Sequence, residues 1–341
     1  MLKFLVCMFI AAALPLDACA ELLEFTSGRD GKSYEAKVTS NGHAASVSFY
    51  QDGNLLGTYD NLIVKESSLS STLVPVIGGG VALEIESDGS RSKYDILAPI
   101  KLIGGKLYIE CLYKNVYDSV EEERSVGAIC QRRELGQFDV SASINSANLS
   151  LYTAKHNWLK SLPPGSCPNA VGLEIGSYRI ARCAQGGASE TIKQKIIALD
   201  QQNKLIFSTT GYELIPLKDG FAFALAANLQ NDVAIFNGDF SCYQSTLNTS
   251  DVAGGTAKIG DNVSINYSIG MTGKCLGGTY SYAKRNQDII LRGNVTGETY
   301  YMLEMDAKRV SSGVFMLNQT KDGIRGEWVG VPPKGPFAVT P

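Results

Sequence analysis

Hydrophobic and polar residues alternate with a period of two along most of this chain, in short runs closed by Gly, Asn, Asp and Ser. Alternation of this kind turns one side of each run inward and marks half-buried β-strands. From Glu21 to about Ile144 the pattern is strand and turn throughout. Residues 34–38 and 45–50 flank Asn41-Gly42, a hairpin signal because both residue types tolerate the left-handed backbone of a tight turn. Asp52-Gly53 turns the chain into 55–59 and 62–65. A connector rich in serine (Ser67, Ser68, Ser70, Ser71) leads to Gly78-Gly79-Gly80, a bulge or tight bend, and then to a strand at 81–85. After the Asp88-Gly89 turn comes the clean alternation of 107–113, which places Leu107, Ile109, Cys111 and Tyr113 on one face, with its partner expected at 125–132.

The period changes over 146–162. Leu149, Tyr152, His156, Leu159 and Leu162 recur every third or fourth residue, which predicts a helix capped by Ser146 or Asn148 and stopped by Pro163-Pro164. Strands resume at 171–175, 178–183, 196–199, 205–208, 221–226 and 233–236, with 189–202 readable as strand or as a helix capped by Ser189. From Cys242 onward the rhythm is the most regular in the chain: 263–267, 278–282, 289–291, 299–305, 314–317 and 324–328 are short strands at even spacing. That spacing predicts an antiparallel barrel or sandwich. Small lipocalin-like barrels share the rhythm, but no signature residues name a family. The expected fold is mostly β: antiparallel sandwich or barrel modules joined by one short linking helix. The expected divisions are a signal peptide at 1–20, an all-β domain at 21–145, a linking helix and middle β-rich region at 146–241, and a small barrel or sandwich at 242–341.

The N-terminus is what changes this picture most. Lys3 precedes an apolar run over 4–16, and Ala18-Cys19-Ala20 stands just before Glu21. Charge, apolar block and small residues in that order make a secretory signal cleaved before Glu21. The run is shorter than the roughly 20 residues of a membrane-crossing helix. The mature chain is therefore expected in the periplasm or secreted. Leu16-Asp17-Ala18-Cys19 offers an alternative, lipidation of Cys19 and tethering to a membrane, although Asp17 departs from the small apolar residue usual in that signal. Sequons at Asn148, Asn248, Asn262, Asn266, Asn294 and Asn318 leave a eukaryotic secretory route open.

Cysteine use agrees with export. Two of the eight cysteines, Cys7 and Cys19, leave with the signal. The others form three couples of chain neighbours, predicting disulfides Cys111–Cys130, Cys167–Cys183 and Cys242–Cys275, each bracketing a hairpin or short strand pair. No C-x-x-C occurs, so neither a redox motif nor a zinc ribbon is indicated.

The net charge of -3, with both signs interspersed, gives nucleic acid no basic patch to bind. Only 2 histidines occur, His43 at a hairpin tip and His156 beside Trp158. There is no G-x-S-x-G or H-E-x-x-H, and residues 28–33 imitate a phosphate loop with too short a spacer. Glu84/Glu86 and Glu298/Glu304 pair by parity as carboxylates of the kind glycoside hydrolysis uses. The 16 tyrosines include a Tyr280/Tyr282 row and Tyr300 beside Tyr301, either of which could stack on sugars. The densest acidic cluster is Tyr117, Asp118, Glu121, Glu122 and Glu123, at the tip of the expected disulfide-stapled hairpin.

These features predict no cofactor, no metal and no catalytic residue. They point to an exported binding protein whose acidic finger enters a basic cleft of another protein, as an inhibitor or immunity protein would to neutralise a toxin or lysozyme-like hydrolase. The competing expectation is an envelope glycan-binding protein or a glycan-acting enzyme that works through carboxylates.

Overall fold

In the computed structural model the described residues are 20–26, 33–41, 44–77, 80–89, 91–121, 123–145, 149–163, 165–183, 195–210, 212–217, 220–226, 233–244, 249–283, 288–330 and 334–341. Residues 1–19 of the expected signal peptide, Gly42, His43 and Glu122 lie outside them, and Ala20, its expected last residue, begins the first strand. The chain divides into two compact units, Met1–Leu151 and Tyr152–Pro341. The middle region and the C-terminal module thus fall in one unit. Among the described residues no helix is long and apolar enough to cross a membrane.

The first unit opens with a four-stranded antiparallel sheet in chain order: β1 (Ala20–Thr26), β2 (Ser33–Asn41), β3 (Ala44–Gln51) and β4 (Asn54–Ile63). Asp52 (φ 49°) and Gly53 (φ 77°) carry the β3–β4 turn, both with the left-handed backbone that a two-residue hairpin demands. A second antiparallel meander follows: β5 (Leu69–Ile77), β6 (Val81–Asp88), β7 (Ser92–Ile103), β8 (Lys106–Asp118) and β9 (Glu123–Glu134). Val47 and Phe49 of β3 meet Leu83, Ile85, Ile96, Ile109 and Leu112 of the meander in one buried cluster, which makes this unit a sandwich.

The predicted shared face of 107–113 breaks inside β8. Pairing with β7 shifts register between Leu97 and Ile100, and pairing with β9 shifts between Ile109 and Cys111. Leu107, Ile109 and Leu112 therefore enter the cluster while Cys111 and Tyr113 do not. One extra residue moves every later side chain to the other face. The same shift carries Lys114 inward. Its ammonium donates to the carbonyl oxygens of Ser143 and Ile144, both at 2.8 Å, where helix α1 (Val140–Ile144) ends. Burial lowers its pKa to about 8.

The helix expected over 146–162 is not formed by the described residues there. Among the described residues the short α-helix is α1, a few residues earlier, with Asp139 accepting from the Ala142 amide at its N-cap. The 149–162 stretch instead holds β10 (Ser150–Tyr152) and a 3₁₀ turn at Asn157–Ser161. Spacings of three and four suit a 3₁₀ turn as well as an α-turn, and no long apolar stripe decides between them.

In the second unit β11 (Val171–Ile175), β12 (Tyr178–Cys183), β13 (Lys195–Asp200) and β14 (Leu205–Thr210) form an antiparallel meander. Within the ambiguous 189–202 stretch, Lys195–Asp200 is strand and 201–202 a turn, while 189–194 lie outside the described residues. A three-strand ladder follows, β15 (Tyr212–Leu217), β16 (Gly220–Ala226) and β17 (Val233–Gly238).

The C-terminal strands close into an eight-stranded barrel: β18 (Ser250–Ile259), β19 (Val263–Thr272), β20 (Cys275–Tyr282), β21 (Ile289–Thr296), β22 (Thr299–Met305), β23 (Ser311–Thr320), β24 (Gly323–Gly330) and β25 (Lys334–Thr340). Lys258 and Ile259 pair with Thr340 and Val339 to complete it. Inward side chains such as Ile269, Leu276, Tyr280, Met302 and Phe315 gather in a single buried cluster, so the barrel is packed with its own residues.

The three disulfides join the expected partners. Disulfides of this kind persist in oxidising compartments. Only Cys111–Cys130 staples a hairpin, across directly opposed residues of β8 and β9. Cys167–Cys183 ties the segment after the 3₁₀ turn to the end of β12. Cys242–Cys275 ties a second 3₁₀ turn, Phe240–Tyr243, to β20 of the barrel.

Candidate functional site

The β8–β9 hairpin extends past its disulfide to the pairs Tyr117↔Arg124 and Asp118↔Glu123. Asp118 organises the tip. Its Oδ1 accepts from the backbone amides of Val120 at 2.9 Å and Glu121 at 3.1 Å, an arrangement Asp favours in turns. Its Oδ2 accepts from Arg91 Nε at 2.8 Å. Ser119 adds two bonds to the Arg91 carbonyl oxygen, from its amide at 2.8 Å and its hydroxyl at 2.7 Å. These donors, the Glu121 amide first and then Arg91, hold the Asp118 carboxyl below its ordinary pKa. The register that pairs Ser92 with Asp118 is what brings the β6–β7 turn, and with it Arg91, against the tip.

These bonds tie Asp118 and Ser119 to Arg91, whose positive charge offsets part of the negative charge of the tip. Arg91 also lies 3.7 Å from the Glu121 carboxylate. Asp118 faces inward to these bonds, Glu123 is half-buried at the start of β9, and Glu121 is exposed. Val120 is 67% exposed and Tyr117 38% exposed, so apolar surface sits beside the charges.

The other sequence candidates separate. Tyr280 and Tyr282 do share the barrel's inward side, with ring centroids 5.6 Å apart, but Tyr280 is buried and its hydroxyl pKa is raised, chiefly by burial. It offers no stacking surface. Tyr300 is buried inside the barrel and Tyr301 is half-exposed. Glu304 is also buried, its carboxylate accepting from Ser312 Oγ and Trp328 Nε1, both at 2.6 Å. Glu298 is exposed, six residues back along the strand direction, roughly 20 Å away at ~3.3 Å per residue. Carboxyl pairs for glycoside hydrolysis stand about 5–9.5 Å apart, so these two do not form one.

Glu84 and Glu86 do lie on one face of β6, and Asp95 of β7 stands opposite Glu86. Burial first, then Asp95 and Glu86, raises the Glu84 pKa to about 7. His156 packs its ring 5.7 Å from that of Trp158. Among the described residues no group of three or more His, Cys, Asp or Glu is placed to hold a metal ion.

Sequence reasoning missed Arg91 and Asp95, because each acquires its role only from cross-strand register. No protein-family model matches the chain, and no curated protein matches it.

Proposed function

We infer that this chain is an exported, non-enzymatic binding protein that presents the hairpin tip at 117–123 to a protein with a basic cleft. In this reading it acts as an inhibitor or immunity protein against a toxin or lysozyme-like hydrolase. One observation carries it: the tip is locked by Asp118, Ser119 and Arg91, yet leaves Val120 and Tyr117 exposed beside Glu121. A preordered loop loses less entropy on binding, and Tyr, here Tyr117, is among the residue types enriched at interface hot spots. The order of residues in 1–20 supports release of the chain into the periplasm or beyond after cleavage before Glu21.

A pull-down from periplasmic extract identifies the partner, and calorimetry then compares wild type with Glu121→Ala/Glu122→Ala/Glu123→Ala and with Val120→Asp. Both variants should nearly keep the melting temperature, since Val120 and Glu121 are exposed and Glu123 half-buried, and surface substitutions usually cost within ~0.5 kcal/mol. Both should lose affinity, and the wild type should bind more weakly as salt rises. Unchanged affinity in both variants removes the tip from the interface. A second reading, a glycan-acting enzyme, draws on Glu84 beside Asp95 and Glu86, a carboxyl whose pKa of about 7 suits a general acid. Release of reducing sugar from envelope polysaccharide, abolished by Glu84→Gln, would favour it.

A further inference from the structure

The second unit contains a cleft of about 280 Å³ that has no part in the hairpin reading. Its floor is apolar: Ile197 and Leu199 of β13, Leu205 of β14 and Leu162 after the 3₁₀ turn. Ile197 and Leu199 belong to the small buried cluster around Trp158, so the floor is continuous with a packed core. Lys195, half-buried, also lines the cleft, as do Ser161, Ser166, Asn203 and the buried Ser208. No acidic side chain lines the cleft, and Lys195 is its one ionisable group among the described residues.

Lys195 is held in place by the disulfide beside it. Cys183 pairs directly with Lys195 across β12 and β13, and Cys183 is bonded to Cys167. That bond brings Ser166, the residue before Cys167, against the lysine, whose Nζ donates to the Ser166 carbonyl oxygen at 3.0 Å. An ammonium carries three N–H donors, and this contact uses one of them. A cation fixed beside an apolar cavity, with no carboxylate among the described lining residues, suits a ligand with an anionic head and an apolar body. The volume admits a small molecule and is below the range usual for drug-sized ligands.

We propose that this cleft binds a small amphipathic monoanion, a medium-chain carboxylate whose head pairs with Lys195 and whose chain covers Ile197, Leu199 and Leu205. Ligand-observed NMR titration of the full exported chain tests it, with octanoate as the probe and octylamine and octanol as controls of equal chain length. Two variants accompany the wild type. Lys195→Met removes the cation and keeps the apolar stem. Val310→Glu sets a carboxylate on the rim at a residue that is 42% exposed, where the fold should tolerate it.

Octanoate should bind the wild type saturably at one site. Lys195→Met should weaken it about tenfold, in keeping with a charge-assisted hydrogen bond. Val310→Glu should weaken octanoate and leave octanol unaffected, and octylamine should bind no better than octanol. Absence of saturation in the millimolar range, equal binding of octylamine and octanoate, or full affinity in Lys195→Met with native circular dichroism would each overturn the proposal.

Discussion

Neutralising Glu84 should stabilise the first unit, and do so only above a defined pH. On β6, Glu84 stands across from Leu97 of β7, which is 7% exposed, and follows Ala82, which is fully buried. Its carboxyl is half-buried at the edge of that apolar patch, with Glu86 on the same strand face and Asp95 opposite Glu86. Burial and the two carboxylates all favour the neutral acid, which raises the pKa from 4.5 to about 7. The folded chain therefore holds this proton over a range where the unfolded chain has released it. Stability must fall as pH rises from about 4.5 to about 7, and stay lowered above that. At ~1.4 kcal/mol per tenfold change the full effect is about 3 kcal/mol, and solvent reaching the half-buried carboxyl reduces it to about 1–2 kcal/mol. Glu84→Gln copies the neutral acid in shape and removes the charge. Urea unfolding followed by far-ultraviolet circular dichroism should find wild type and variant nearly equal at pH 4.5, and the variant more stable by about 1–2 kcal/mol at pH 8. A difference independent of pH, or a variant less stable at pH 8, would refute the reasoning.

Three further outcomes follow from the packing. Lys114→Ala leaves the Ser143 and Ile144 carbonyl oxygens without their buried donor and empties the space of its stem, so unfolding should be easier by about 2–4 kcal/mol in a urea titration. Gly313→Ala would press a Cβ against the Trp328 indole, at Nε1. The indole must move and its bond to Glu304 break, lowering stability by about 2 kcal/mol and shifting tryptophan emission; a mutant with wild-type emission would contradict this packing. Non-reducing peptide mapping should recover Cys111–Cys130, Cys167–Cys183 and Cys242–Cys275, and any crossed pair would overturn the strand pairing around them.

What the residues determined by themselves was local. Alternation identifies strands because side chains in extended backbone point to opposite faces, and Asp52-Gly53 identifies its turn because both residues adopt positive φ there. The cysteine couples were legible because residues close in chain meet with little loop to close. The hairpin tip could be located from those cysteines and its acidic composition. What bonds it makes could not. Arg91 reaches Asp118 only through β7–β8 register, and that register depends on irregularities spread over the two strands. Those irregularities also reversed the parity of Cys111 and Tyr113 and buried Lys114, a residue that alternation alone would assign by counting. A period-two pattern carries no mark of where an extra residue enters, since the partner strand decides that. Closure of the barrel was likewise a tertiary decision. Even spacing suits a sandwich as well as a barrel until β18 meets β25, and only then do Glu304 and Tyr280 become interior. The cleft beside Lys195 was the least legible feature. It is assembled from β13, β14 and the segment after the 3₁₀ turn, which meet because of packing and a disulfide, and no contiguous stretch of sequence encodes it.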